Sequence, residues 1–543
     1  MADVQNRLHF GDNLDVLRRN VPSESVDLIY LDPPFKSGRE YNFLYRHDKR
    51  ADSPAQEDMF VDTWKWDAIR YEESIQECSE NPRLAMLLQS FYQMLGGSEM
   101  MAYLSMMAPR LFEMHRTLRR TGSLFLHCDP AASHYLKVLM DAIFKPENFR
   151  NEVIWKRTSA HNSAKRFGPV HDTILFYSRS DKFTWNPHYT PYDENYVKQF
   201  YRHVDTDGRR YTSSDLTAAG KRKGSSGQPW RGIDPAEKGK GNHWKFTQET
   251  LDRLDLEGRI LWPAKEGGMP RYKRFLDEMH GLALQDVFTD IVPVQTHSKE
   301  RTGYATQKPL SLLERFISAC SNPGDVVLDP FCGCGTAVVA SQKLNRHWLG
   351  IDVAILAVEI MQDRLRDEVG IVEGPDYSVQ GIPNDVASAK ALFERGRKDC
   401  HKQFEIWAVG LVDGRPRAKM GADRGIDGDL LLQDQLQKLS NAPIQVKGGS
   451  NVPPTQVRDF AHVIAREESP TGIFISFERT GPAQRAAIEG GSMRYHGKAT
   501  PRLQLYTLRE LLEEKKKYIV PDGYRALPRR SKYDPQGAFI WSE

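Results

Sequence analysis

No apolar run in the 543-residue sequence is long enough to cross a bilayer, and the opening residues MADVQNRLHFGD lack the features of a secretory signal. These absences point to a soluble cytoplasmic protein with no membrane partner. Cysteine is scarce: there are six, and only Cys332 and Cys334 stand close together, with no second pair to complete a tetrahedral metal site. Zinc is not expected, and neither are disulfides in a reducing compartment. Net charge is also small, since 75 Lys and Arg against 72 Asp and Glu leave +3. That balance neither demands nor excludes a nucleic-acid partner, because a phosphate groove needs positive charge only locally. The length exceeds what one core supports, so two or three domains are expected.

Two short strings stand out. Asp32-Pro33-Pro34-Phe35 closes the apolar run VDLIYL. Neither proline can donate a backbone hydrogen bond and both hold φ near its fixed value, so the turn is stiff. The Asp32 carboxylate and the Pro33 carbonyl can accept both hydrogens of an exocyclic amino group, and the Phe35 ring offers a face for a flipped base. Alone, the string is equally what a proline turn capping a strand would look like. The second, Asp329-Pro330-Phe331-Cys332-Gly333-Cys334-Gly335-Thr336, follows Val326-Val327-Leu328, which reads as a buried strand, and precedes an apolar-periodic helix from Ala337 to Leu344. Its glycines let backbone approach a ligand closely. A further strand, His347 to Ile351, ends in Asp352, at the spacing of a carboxylate that binds ribose hydroxyls in doubly wound nucleotide folds. The two strings together suggest methyl transfer from an adenosyl donor to a DNA base.

Elsewhere the pattern alternates strand and helix. Leu104, Met107, Leu111, Met114 and Leu118 recur at helical spacing, Arg119 and Arg120 suit the negative end of that helix, and Gly122 is placed to close it. Strand SLFLHC follows, and Asp129-Pro130 then caps a helix carrying Leu136, Leu139, Met140 and Ile143. Val153 to Trp155 and Thr173 to Tyr177 read as further strands. Such alternation gives a parallel sheet covered on both faces. From about 180 to 296 the periodicity weakens, and Lys221-Arg222-Lys223 and Trp230-Arg231-Gly232 set cations and aromatics among glycines. This composition suits phosphates and bases, and it also suits a solvated insertion. Residues 36–101 read as a helical insertion whose Tyr41, Phe43 and Tyr45 either cover a flipped base or pack a small cap.

With these strings in this order, the chain resembles the β-class amino-methyltransferases of DNA, in which the DPP(Y/F) half precedes the cofactor half. The resemblance covers about residues 7 to 365 and includes GDNLDVL at 11–17, TGSLFLHCDPAASHYLK, NFRNEVIWKRT and ERTGYATQKPLSLLERFI. It implies a permuted, Rossmann-like doubly wound α/β domain over 1–370 with an antiparallel strand pair at one edge of the sheet. It also implies a target-recognition region over about 180–296, and S-adenosylmethionine as cofactor. Asp12 would lie near the cofactor adenine, Gln307, Lys308 and Pro309 would enclose the methionine end, and Asp352 would hold the ribose. Asp329, Pro330, Phe331, Gly333, Gly335 and Thr336 would form the cofactor loop. Asp32, Pro33, Pro34 and Phe35 would hold the base. Adenine N6 is preferred to cytosine N4, because in the family an aspartate at the first position goes more often with adenine and a serine with cytosine. Double-stranded DNA is the implied partner, and a homodimer is compatible with the reading.

The methyltransferase pattern ends near 364–369. Gly374-Pro375-Asp376 to Gly381-Ile382-Pro383 reads as a linker, placed at 371–395. Beyond it, Phe404 to Val409 reads as helix, GIDG at 425–428 as a turn entering a strand, and Ile444 to Lys447 and Thr471 to Ser476 as strands. An acid opening one strand and a Gln-x-Lys on the next suits phosphodiester hydrolysis: Asp427 can hold Mg²⁺, and Lys447 can offset developing charge. The stretch 396–520 resembles the Mrr-like branch of the PD-(D/E)xK nucleases, an α/β restriction-endonuclease-like fold, with Glu405, Asp427, Gln445 and Lys447 as its site residues and 521–543 as a tail. Gln445 departs from the carboxylate usual in the wider group. The order of domains suggests a single-chain restriction and modification protein. Two alternatives stay open: a solitary methyltransferase whose C-terminal part only binds DNA, and a catalytically silent DNA-binding regulator, against which the intact DPPF and DPFCGCGT argue.

Overall fold

The computed structural model describes residues 6–34, 40–44, 56–61, 66–158, 167–238, 241–264, 268–295, 298–304, 306–394, 398–417, 425–449, 452–495 and 498–527. Short apolar segments pair through their backbones, which satisfies their polar groups while the side chains pack. In chain order the strands of the large sheet are β1 (Asn6–Phe10), β2 (Val26–Leu31), β3 (Leu118–Cys128), β4 (Phe149–Lys156), β5 (His171–Ser178), β6 (Val287–Phe288), β7 (Val326–Asp329), β8 (His347–Asp352) and β9 (Tyr377–Gln380). Across the sheet the order is β6-β4-β5-β3-β2-β7-β8-β1-β9. Only β5 opposes its neighbours β3 and β4; the other adjacent pairs are parallel.

A sheet of this kind must be covered on both faces. Strand β2 shows how, since all six of its residues are buried and alternate between faces. Ile29 and Leu31 pack with the helices Glu99–Thr117 and Pro130–Phe144. Leu28 and Tyr30 pack with the helix Leu310–Cys320.

Three expectations are corrected here. The helix predicted from Leu104 to Leu118 stops at Thr117, and Arg119, Arg120 and Gly122 lie in β3. The reason is close strand contact: a Cβ on Gly122 would lie 2.9 Å from the Asp27 carbonyl, and Arg119 pairs with Asp27 at 2.9 Å. The insertion at 36–101 is not wholly helical, because Glu40–Leu44 and Gln56–Val61 form an antiparallel hairpin before the helices Ala68–Glu77 and Pro82–Leu95. Alternating aromatics favour a strand there. The side chains of Tyr41, Phe43 and Tyr45 lie outside the described residues. The stretch 371–395 is not a free linker either. Tyr377–Gln380 pairs with β1, the Tyr377 ring packs 5.5 Å from Trp348, and Val386–Glu394 is helical.

Residues 187–285 form a compact unit of their own. Within it His203–Val204, Arg210–Asp215, Ile260–Leu261 and Arg271–Phe275 make a four-stranded sheet, and Leu216, Trp230, Trp244, Leu251 and Ile260 form the core.

The C-terminal residues form a second sheet from β10 (Arg415–Pro416), β11 (Gly428–Asp434), β12 (Leu439–Lys447), β13 (Gly472–Ser476) and β14 (Leu503–Thr507), adjacent in that order. Strands β11 and β12 are an antiparallel pair, while β12, β13 and β14 run parallel, with the helices Pro454–Arg466 and Gly481–Glu489 making the crossovers. A last strand, β15 (Tyr524–Ala526), pairs with β11, so part of the expected tail belongs to the sheet. The core is shared with the large sheet: Leu8, Phe10, Trp348 and Val358 cluster with Phe404, Trp407, Val409 and Ile444. Among the described residues no helix is long and apolar enough to cross a membrane.

Phe404 is wholly buried and its ring stacks 5.2 Å from Phe477. Phe404→Ala should lower stability by about 3–5 kcal/mol, read as a drop in denaturant midpoint of the full chain.

Candidate active site

Strands β2 and β7 lie side by side and parallel, with Leu28 level with Val327 and Ile29 with Leu328. The helix Glu99–Thr117, on the way from β2 to β3, covers the Ile29 face, whereas the helix Thr336–Lys343 after β7 covers the Val327 face. Departure to opposite faces opens a crevice at the carboxyl ends of the two strands, where ligands bind in doubly wound folds. Asp32-Pro33 and Asp329-Pro330 both emerge there.

The Asp32 carboxylate is met by the ammonium of Lys308, 276 positions away in the chain. Pro33 is buried and Pro34 half-buried, and Phe35 lies outside the described residues. Asp12 caps the helix Asn13–Asn20 by accepting from the Leu14 N–H at 2.9 Å, and Arg110 donates to both its oxygens at 2.8 and 3.0 Å. The neighbouring Asn13 amide donates to the Pro330 carbonyl at 2.8 Å, which joins this corner to the loop after β7.

Asp352 ends β8 and organises that loop. Its two oxygens accept the N–H of Gly333 and of Ala354, each at 2.8 Å. Burial pushes its carboxyl up to about 6, against the lowering effect of backbone donors at Ala354, Gly333 and Val353. Asp329 is pushed well above the usual carboxylate range by burial, with the charges of Asp32 and Asp352 adding to the rise and Lys308 opposing it. Gly333 and Gly335 take left-handed φ of 50° and 76°, and a Cβ on Gly333 would press on the Tyr304 ring at 3.1 Å. Thr336 opens the helix, and its hydroxyl accepts from Arg364 at 3.2 Å while the same guanidinium donates to the Cys334 carbonyl at 2.9 Å. Phe331 is half-buried, and its N–H donates to Asp329 at 3.1 Å.

The Gln307 side chain accepts from the Thr302 N–H at 2.8 Å and donates to the Glu300 carbonyl at 2.5 Å. Pro309 precedes the helix Leu310–Cys320, whose first N–H is taken by the Glu300 carboxylate at 3.0 Å. Sequence reasoning missed Arg110, Glu300, Tyr304 and Arg364 as supports. Glu300 and Tyr304 lie inside the ERTGYATQKP string and were within reach of it. Arg110 and Arg364 are single cations on amphipathic helices, and nothing local marks them.

In the C-terminal sheet, Asp427 precedes β11, donates its N–H to the Ile444 carbonyl at 2.8 Å and accepts the Val446 N–H on its carboxylate at 2.7 Å. Gln445 and Lys447 alternate along β12 with the buried Ile444 and Val446, so they share the opposite face. Burial lifts the Glu405 carboxyl to about 7, the charge of Asp427 adds to the rise, and Lys402 and Lys447 oppose it. The charges of Asp427 and Lys447 thus act on Glu405, Gln445 lies one residue pair along β12 from Lys447, and Lys402, 3.8 Å from Glu405, is an addition the sequence did not single out. Among the described residues no group of three or more His, Cys, Asp and Glu is arranged to hold a metal ion.

Within the stretch 180–296 expected to contact DNA, residues 187–285 hold both groups of cations and aromatics named from the sequence. Arg231 is tied to Asp255 and lies 5.3 and 5.7 Å from the ring centres of Trp230 and Trp262, while buried Trp230 donates to Asp252 at 2.8 Å. In that cluster Trp230 is buried, while Arg231 and Trp262 stay exposed. Lys221, Arg222 and Lys223 are exposed.

Residues 26–363 match the family model for DNA methylases, a match that stops short of the C-terminal sheet. The chain is similar to the Type II methyltransferase M.EcaI of Enterobacter cloacae, with 30% identity over 75% of this chain and 80% of that one. It is also similar to the Mod subunit of the Type III restriction-modification enzyme StyLTI of Salmonella typhimurium, with 26% identity over 62% of this chain and 50% of that one. A third relative is the DNA adenine methyltransferase YhdJ of Escherichia coli K12, 24% identical over 63% of this chain and 76% of its own.

Because folded Asp352 holds its proton more tightly than the unfolded chain does, its contribution to stability falls as pH rises from 3.8 to about 6 and is constant above. Asp352→Asn removes that dependence. The stability of the variant relative to wild type should rise through this window and then level off, as read from denaturant midpoints below, within and above it.

Proposed function

The chain belongs to the N6/N4 family of DNA methylases, and we propose that it methylates adenine N6 in duplex DNA with S-adenosylmethionine as donor. The supporting observation is the pairing of β2 with β7, which sets the Asp32 turn beside the Asp329 loop. The Asp32 carboxylate and the Pro33 carbonyl hold the two amino hydrogens of a base rotated out of the duplex, and this turns the nitrogen lone pair out of conjugation. Phe35 stacks on that base. The donor brings a methyl group on a positively charged sulfur, which keeps the electron pair of the broken S–CH3 bond as N–CH3 forms. A crevice walled by Asp32, Asp329 and Asp352 suits such a cation.

The residues present fit the cofactor. Asp352 has lone pairs beyond those taken by Gly333 and Ala354, and these suit ribose hydroxyls. Asp12, steadied by Arg110, would hold the adenine side of the cofactor, and Gln307, Lys308 and Pro309 would enclose its methionine end. After transfer the surplus proton on nitrogen leaves through the Asp32 side, where the carboxylate can receive it and pass it to water. Adenine rather than cytosine follows from the aspartate at position 32, and it accords with the specificity in the name of YhdJ.

The reading extends to the C-terminal sheet, for which we propose Mg²⁺-dependent cleavage of DNA, so that one chain carries both modification and restriction. Asp427 and Glu405 would offer two carboxylates to a hard cation, which would need water and substrate phosphate for the rest of its shell. Lys447 offsets negative charge at the phosphate, and Gln445 contributes a neutral oxygen where a carboxylate is usual. The unit 187–285 serves both activities as the recognition region.

Single-molecule sequencing of DNA from cells expressing wild type should show N6-methyladenine in a defined motif. Asp32→Ala should reduce it by at least about a hundredfold. Unmodified DNA from soluble wild type would sink the methylation reading, and N4-methylcytosine would correct the base. Incubated with magnesium and unmodified DNA, wild type should cut and Asp427→Ala should not, with methylation unchanged in that variant. If both proteins leave the DNA intact, the C-terminal sheet is a binding module and the enzyme a solitary methyltransferase.

A further inference from the structure

A line of buried polar side chains crosses the sheet directly beneath the Asp32 turn, and the chemistry above does not use it. Tyr30 Oη and His127 Nδ1 are 2.8 Å apart, and His127 Nε2 and Asp172 Oδ2 are 3.1 Å apart. Arg157 Nε lies 3.1 Å from the other Asp172 oxygen. Tyr30, His127 and Asp172 are 2%, 0% and 2% exposed, so the line is sealed from solvent except at its arginine end. It spans three adjacent strands, β2, β3 and β5, at the edge where β2 delivers Asp32 two residues after Tyr30.

The polarity of the line follows from its ends. Burial pushes the Tyr30 phenol well above its ordinary range, with the charges of Asp32, Asp329 and Asp172 adding to the rise, so it stays protonated. Burial also acts to raise Asp172, but the His127 hydrogen bond and charge, with Lys308 and Arg157, outweigh it and hold the carboxyl below its usual range. An ionised carboxylate only accepts, so Nε2–H donates to Asp172, while Nδ1 and the Tyr30 hydroxyl share the second hydrogen bond. Each hydrogen bond then has one donor and one acceptor.

The surroundings argue against simple packing. Phe125, Trp155, Ile174 and Phe316 form the cluster around Tyr30, and the Tyr30 ring stacks 6.2 Å from Phe316. An apolar set of the same volume would fill this space without the desolvation cost of a carboxylate. What the polar line supplies is geometry: it ties β2, β3 and β5 diagonally across the sheet, each step offset by two residues in register, and holds the Tyr30 ring to one position. The charge of Lys308, whose ammonium meets Asp32, also acts on Asp172. Asp32 is thus steadied through its backbone by Tyr30 and through its carboxylate by a lysine that feels the same buried anion.

We propose that His127 is a positioning residue: together with Asp172 it pins Tyr30 and thereby sets Asp32 and Pro33 against the amino group of the base, without touching base or methyl donor. The inference rests on the methyl-transfer reading.

The test uses the full-length wild type, Tyr30→Phe, His127→Leu and His127→Gln, with unmethylated plasmid DNA and radiolabelled S-adenosylmethionine. Single-turnover transfer is measured beside the cofactor dissociation constant from calorimetry and the thermal midpoint. Tyr30→Phe keeps the ring packing and loses only the hydroxyl, so it should fold, bind cofactor as wild type does and slow transfer on the order of a hundredfold. His127→Leu should match it. His127→Gln, whose amide can accept from Tyr30 and donate to Asp172, should recover a measurable part of the rate. Wild-type rates in folded Tyr30→Phe, or equal losses in the Leu and Gln variants, would overturn the proposal. If His127→Leu fails to fold, Tyr30→Phe decides. No transfer by wild type that binds DNA and cofactor would instead overturn the methyl-transfer reading itself.

Discussion

The parallel contact between β2 and β7 is the one on which the rest of the molecule depends. The two strands belong to segments separated by most of the methylase region, and closing so long a loop is entropically costly. The compensating ties lie next to the contact. The Val326 N–H donates to the Asp27 carboxylate at 2.9 Å, the Asn13 amide to the Pro330 carbonyl at 2.8 Å, and the Gly11 N–H to the Asp352 carbonyl at 2.8 Å. Each joins the first thirty-odd residues to the loop region past residue 325. The crevice therefore exists only when both halves are in register.

Within the crevice, charge is arranged in an unusual way for a buried place. Burial raises the Asp329 carboxyl, the charges of Asp32 and Asp352 add to that rise, and Lys308, whose ammonium meets Asp32, opposes it. A site with surplus buried negative charge favours a positively charged ligand, and a bound cation would lower the cost of keeping these carboxylates ionised. The glycine loop is shaped by the same acid that would meet the ligand, because Asp352 takes the Gly333 N–H directly. Loop geometry and electrostatics are thus consequences of one residue.

The C-terminal sheet is not a bead on a string. Its helix Lys398–Gly410 carries Phe404 and Trp407 into the core that covers Leu8, Phe10 and Trp348, and its Gln403 side chain accepts the Ile355 N–H at 3.0 Å. That N–H opens the helix Ile355–Val369, three residues after Asp352. Residue 403 in turn lies two positions before Glu405. The two clusters of titratable groups are consequently linked through one helix terminus and one apolar core, which explains why 371–395 could not be the exposed linker its prolines and glycines suggested.

The sequence by itself determined the strands that are wholly apolar, the helices with a strong stripe, and the two Asp-Pro strings with Asp352, because each of these is written in residues adjacent along the chain. It misjudged the end of the helix at Thr117 and the stretch 371–395, where the outcome depends on what lies alongside: the Asp27 carbonyl against Gly122, and the open edge of β1 beside Tyr377. Only the tertiary structure decided that Lys308 meets Asp32, that Arg110 holds Asp12, that Arg231 pairs with Asp255, and that Tyr30, His127 and Asp172 form one line. These are contacts between residues far apart in the chain, each unremarkable in its own neighbourhood. Their partners are set by strand order and register, which hydrophobic periodicity constrains but does not specify.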